Sequence, residues 1–149
     1  MSTKYIHTNI IARDWQKLVR FYEEVFECVA IPPQRKLSGD WLSKCTGIRD
    51  AALDGVHLRL PGFDDSGPTL EIFSYSQMAE NLPPAANRIG LGHLAFRVDD
   101  VPEILGKVIA YGGDALGEIV HSEIPGFGAI TFVYATDPEG NIIEIQKRL

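Results

Sequence analysis

His93-Leu94-Ala95-Phe96-Arg97-Val98-Asp99-Asp100 repeats in kind the segment His7-Thr8-Asn9-Ile10-Ile11-Ala12-Arg13-Asp14 near the start of the chain. Each copy opens on a histidine, alternates as a strand does, and closes on an aspartate placed to cap a helix. A second matched pair is the run TLEIF around Glu71 and the run IIEIQ around Glu144. The chain therefore reads twice. Two histidines and two carboxylates at matching places predict one metal site built by duplication. His7 to His93 and Asp14 to Asp100 are both offsets of 86, whereas Glu71 to Glu144 is 73, so the first half carries 13 additional residues between its helix and its glutamate.

Working outward, Lys4 to Ile11 alternates with period two, and Trp15, Leu18, Val19, Tyr22, Val25 and Phe26 then recur at the spacing of an amphipathic helix capped by Asp14. Pro32-Pro33 is expected to end regular structure, with residues 34–50 forming a long excursion or a broken strand that absorbs the extra residues. Strands are predicted over Ala52 to Leu60 and Pro68 to Tyr75, around the turn-forming run Pro61 to Gly67. With a short strand near Val29 this makes β-α-β-β-β. The second half repeats that order. Leu91 to Val98 is a strand, Asp100 caps a helix with Glu103 in a capping-box position, and Ile104, Leu105, Val108 and Ile109 are its expected buried stripe. Tyr111-Gly112-Gly113 stops the helix, and strands follow over Ala115 to His121, Ala129 to Ala135 and Asn141 to Lys147. The expected organisation is a single α+β domain over 1–149, made of one βαβββ module at about 1–80 and a second at about 88–149. Asn81 to Asn87, with two prolines, is the linker.

Composition narrows the function. A chain of 149 residues that is 45% hydrophobic is long enough to bury its own core. A formal charge of −6, from 14 basic and 20 acidic side chains, lacks the broad basic surface that a phosphate backbone requires, which argues against nucleic acid as a partner. No apolar stretch has the length of a bilayer span or a secretory leader, so no membrane partner and a cytoplasmic location are expected. Cys28 and Cys45 have no C-x-x-C spacing, which excludes a zinc ribbon and argues for reduced structural thiols.

Strand parity places Glu71 on one face with Thr69 and Phe73, and Glu144 with Ile142 and Gln146, leaving Leu70 and Ile72, and Ile143 and Ile145, to the other face. An unpaired carboxylate amid such strands costs several kcal/mol to bury, and a divalent cation compensates two of them. Two neutral imidazoles and two carboxylates suit one borderline or hard divalent ion, with Ni, Zn, Co, Mn, Fe and Mg all admitted, and leave two octahedral positions open. A lone strand histidine is more simply a hydrogen-bonded structural residue, and a lone strand glutamate a solvated one. The repetition, not any local spacing, carries the metal reading. His57 and His121 form no matched pair and are read as surface or structural histidines.

The motifs Gly92-His93-Leu94-Ala95-Phe96-Arg97-Val98-Asp99-Asp100 and Asp137-Pro138-Glu139-Gly140-Asn141-Ile142-Ile143-Glu144 resemble the vicinal oxygen chelate superfamily, the group of glyoxalase I, bleomycin-resistance proteins and extradiol dioxygenases. The resemblance spans nearly the whole chain. It implies paired βαβββ modules whose curved mixed sheets enclose a metal, with His7, Glu71, His93 and Glu144 at the four ligand positions. It also implies a metal-dependent lyase or isomerase of the glyoxalase or epimerase type, stabilising the enolate of a small oxygenated carbon acid, with Glu144 and Glu71 as the candidate general bases. An extradiol dioxygenase is the alternative, although its diol and O₂ need three coordination places that a fourth protein ligand would crowd. A metal-free antibiotic-binding protein is another, although such members typically lack the ligands. Glutathione-dependent members carry an arginine where this chain has Ile11 and an asparagine where it has Tyr75, which argues against glutathione. Methylmalonyl-CoA epimerases typically have glutamine at the place of Glu71. Asn9 and Arg97, which alternate onto the faces of His7 and His93, are candidate substrate contacts. By resemblance Phe127, at the tip of Pro125-Gly126-Phe127-Gly128, belongs to a pocket rim, and Trp41 is a candidate cover. A small-molecule substrate and a homodimer are the expected partners.

Overall fold

The computed structural model describes residues 2–148. The chain divides into two compact units, Met1–Asn81 and Leu82–Leu149, each with its own mixed sheet.

In the first unit β1 (His7–Ile11) leads into α1 (Trp15–Phe26), followed by β2 (Val29–Ser38), α2 (Asp40–Thr46), β3 (Ala52–Arg59) and β4 (Thr69–Tyr75). The sheet order is β1-β4-β3-β2, with β1 parallel to β4 and the other pairs antiparallel. Asp14 caps α1 by accepting from Lys17 N at 3.0 Å, satisfying one of the amides that a helix start leaves without a partner. Leu18, Val19, Phe21, Tyr22, Val25 and Phe26 are buried on α1, and the helix packs on β2, β3 and β4, where Val56, Leu58, Leu70 and Ile72 are buried. A smaller cluster of Leu42, Ala51, Leu53 and Phe73, flanked by Leu37, Ile48 and Tyr75, joins α2 to the sheet.

Pro32-Pro33 does not end regular structure as the composition predicts. β2 runs through both prolines, with its pairing to β3 shifted between Ile31 and Arg35. An edge strand with a bulge tolerates residues that cannot donate to the ladder, and β2 is at the edge. The expected excursion is thus the second part of β2 followed by α2, a helix too short for its period to be legible.

The second unit contains β5 (Leu94–Arg97), α3 (Val101–Ala110), β6 (Asp114–Ala115), β7 (Val120–Ile124), β8 (Gly128–Thr136) and β9 (Ile142–Arg148). The order is β5-β9-β8-β6, with β7 also paired to β8, and β5 is parallel to β9. Asp100 repeats the cap, accepting from Glu103 N at 2.9 Å. The predicted strand from Ala115 to His121 is divided into β6 and β7. On α3 the buried residues are Val101 and Val108, and Ile109 is exposed instead of lying in the stripe. Three helices and two mixed sheets make an α+β fold among the described residues.

Candidate metal centre

In each unit the last strand, which carries the glutamate, pairs in parallel with the strand that begins at or just after the repeated histidine. In the first unit, the parallel pairing of β1 with β4 aligns His7 with Thr69 and Asn9 with Glu71. Glu71 is 9% exposed, a low value for a carboxylate on a face that carries no helix stripe. Its Oε1 accepts from Asn9 Nδ2 at 2.8 Å and lies 3.5 Å from His7 Nε2. Its Oε2 lies 2.6 Å from His57 Nε2. His57 faces Glu71 across the antiparallel β3–β4 pair, and its ring stands edge-on to those of His7 and Phe73 at 5.6 and 6.2 Å. His7, His57 and Glu71 each bring one donor atom to within 4.8 Å of the others.

His57, read from the sequence as surface or structural, is therefore part of this cluster. The repeat hid it, because the residue opposite Glu144 in the second unit is Tyr134. Strand parity did carry a signal: Val56 and Leu58 take the core face together with Leu70 and Ile72, leaving His57 on the face of Glu71. Burial holds the His57 imidazole below its usual range; Glu71 pulls the other way, while Arg35 and His7 add to the lowering. Desolvation, together with the charge of Glu71, raises Tyr75 farther along the strand.

In the second unit, His93 just precedes β5 and its Nε2 lies 2.9 Å from Glu144 Oε2. Gln146 Nε2 donates to Glu144 Oε1 at 3.0 Å, and the Tyr134 ring lies 4.8 Å from that of His93. His121 meets Thr131 Oγ1 at 2.7 Å through Nδ1 and joins neither cluster. Buried Asp137 builds the turn before the last strand, accepting from the backbone of Glu139 and from Asn141.

The four repeated residues thus fall as two pairs, His7 with Glu71 and His93 with Glu144. Asn9 reaches the first glutamate directly. Arg97 is exposed at the end of β5, aligned with Gln146. Trp41 is exposed on α2, and Phe127 is exposed at the β7–β8 turn with the Arg148 guanidinium 5.6 Å from its ring centre. Two donors of one divalent ion, bound at about 2.1 Å each, stand about 3 to 4 Å apart. The 3.5 Å between His7 Nε2 and Glu71 Oε1 fits that spacing, and each pair offers the imidazole and carboxylate oxygen that borderline divalent ions accept.

A family model described as Glyoxalase/Bleomycin resistance protein/Dioxygenase superfamily matches residues 4–145. Among solved structures, a glyoxalase family protein from Bacillus cereus superposes with a TM-score of 0.83 at 18% identity, covering 100% of this chain and 99% of that one. A glyoxalase family protein from Enterococcus faecalis gives 0.60 at 21% identity, covering 97% and 98%. A glyoxalase/bleomycin resistance protein/dioxygenase family enzyme from Burkholderia phytofirmans gives 0.59 at 19%, covering 96% and 97%. At such identities the likeness is one of fold. No curated protein matches the chain.

Proposed function

The chain belongs to the Glyoxalase/Bleomycin resistance protein/Dioxygenase superfamily, and from that premise we propose that it is a metal-dependent lyase or isomerase acting on a small oxygenated carbon acid. One observation carries the reading: at repeated positions in both units a histidine Nε2 stands beside a carboxylate oxygen, at the donor spacing of 3.5 Å in the first and at a hydrogen-bond distance of 2.9 Å in the second. His7 and Glu71 in the first unit, and His93 and Glu144 in the second, are the proposed donors to a divalent ion. When bound, such an ion supplies Lewis acidity to a substrate oxygen where negative charge develops.

The residues themselves hold and move the proton. Glu71 is pinned on both oxygens, by Asn9 and by His57. Glu144 is met by His93 on one oxygen and Gln146 on the other. Either carboxylate has the chemistry to take a proton from a substrate carbon beside its carbonyl and return it. Asn9, Arg97, Phe127 and Trp41 are the proposed substrate contacts. A homodimer in the cytoplasm is the proposed setting.

Elemental analysis of protein purified without chelators is expected to show near-stoichiometric divalent metal, lost in His7→Ala and in Glu144→Gln. Wild-type protein that is metal-free and cannot be reloaded would refute the enzyme reading. Deuterium wash-in from solvent into 2-oxo or acyl substrates is the expected signature of proton transfer. A dioxygenase is the second reading, favoured by the two-histidine, one-carboxylate grouping of His7, His57 and Glu71. Oxygen uptake with catechols and no exchange would select it.

A further inference from the structure

We propose that His57 is a positioning residue: its Nε2–H donates to Glu71 Oε2 and turns Oε1 toward the cation, and His57 does not bind the cation itself. The inference rests on the reading of Glu71 as a metal ligand.

Distances separate the two roles. His7 Nε2 and Glu71 Oε1, at 3.5 Å, are too far apart for a good hydrogen bond and well placed as two donors of one ion. His57 Nε2 and Glu71 Oε2, at 2.6 Å, are closer than donors of a shared ion stand, and match a short charge-assisted hydrogen bond. The other ring nitrogen argues the same way. His57 Nδ1 lies 3.2 Å from Thr69 Oγ1. A hydroxyl that donates to Nδ1 leaves the ring proton on Nε2, and a protonated ring nitrogen has no lone pair for a metal. Packing then holds the ring, edge-on between His7 and Phe73.

The second unit meets the same need differently. Tyr134 fills the cross-strand place, and Gln146, two residues along the strand from Glu144, supplies the N–H at 3.0 Å. A glutamine side chain therefore suffices to donate to such a carboxylate, which makes His57→Gln the conservative replacement. Groups that orient a metal ligand typically contribute about 10–100-fold to metal affinity.

Calorimetric titration with Co²⁺, paired with X-ray absorption of the cobalt-loaded proteins, tests this. His57→Gln is expected to bind within about threefold of wild type and to keep its imidazole count, while His57→Leu weakens binding about 10–100-fold. If His57→Gln loses as much affinity as His7→Ala, together with one imidazole scatterer, His57 is a ligand and the proposal is overturned. Wild-type affinity in His57→Leu overturns it too. Thr69→Val, which removes the hydroxyl that sets the ring, is expected to weaken binding about fivefold, the worth of one hydrogen bond. It decides the matter if the leucine variant does not fold, and unchanged affinity there overturns the proposal. Wild-type protein that takes up no cobalt refutes the metal reading itself, and this inference with it, a result distinct from wild-type binding with an indifferent His57.

Discussion

Replacing Gly55 with alanine is expected to destabilise the first unit by about 2 kcal/mol. Gly55 lies in β3 opposite Phe73 of β4. A Cβ there would stand 2.5 Å from Phe73 Cδ1 and 2.9 Å from Phe73 Cα, and would run into the carbonyl oxygen of Ile72. Packed carbons settle at about 3.5–4.0 Å, so the ring would have to yield by about 1 Å, and the β4 backbone has no rotamer by which to escape. Overpacking costs about 1–3 kcal/mol, and a clash with backbone belongs at the upper end. The stiffer unfolded chain returns about 0.4–1 kcal/mol. Trp15 and Trp41 are the chain's two tryptophans and both lie in the first unit, so fluorescence during urea unfolding follows that unit. The midpoint is expected to fall by about 1 M. Gly106→Ala on α3, where a Cβ meets nothing within 4 Å, is the control and is expected to be neutral or stabilising. A Gly55→Ala midpoint within about 0.3 M of wild type would refute the close approach of the two strands.

The remaining predictions concern the second unit and the thiols. Asp137→Ala is expected to cost about 2–3 kcal/mol, read by circular dichroism during denaturation, because it strips a 2% exposed carboxylate from the amides of Glu139 and Asn141; an unchanged midpoint would contradict that account. Cys45 is expected to react promptly with a thiol reagent while buried Cys28 reacts only on unfolding, and two equally fast thiols would refute this. Burial, with Glu23 nearby, pushes the Cys28 thiol from 9.0 up to about 12. Its contribution is therefore whole below pH 9 and is lost as pH rises toward 12, because the unfolded thiol ionises first; Cys28→Ala is expected to flatten that alkaline fall, worth up to about 4 kcal/mol.

Much of the architecture is legible in the sequence. Asp14 and Asp100 cap helices as expected, because a side-chain oxygen beside a free amide is a local interaction that needs no knowledge of the rest of the chain. The parity of Leu70, Glu71 and Ile72 likewise places a carboxylate opposite the core, and its pairing with a repeated histidine is visible as composition. Ile109 and Pro32-Pro33 show where local reading ends. Ile109 satisfies helical spacing, yet the sheet beneath α3 reaches only Val101 and Val108 deeply. The prolines signal a stop, but an edge strand absorbs them at a bulge.

The sequence by itself determined the α+β class, the two helix caps and the His–Glu type of each cluster, because periodicity, capping and side-chain chemistry act over a few residues; the extra helix α2 and the separate strands β6 and β7 depart from the expected βαβββ order. Only the tertiary structure decided that His57 stands across from Glu71 while Tyr134 stands across from Glu144. That pairing depends on the register of two strands joined through residues 60–68 in one unit and 137–141 in the other. Register is settled by which faces bury together, with Val56 and Leu58 beside Leu70 and Ile72, and burial is a property of the assembled sheet.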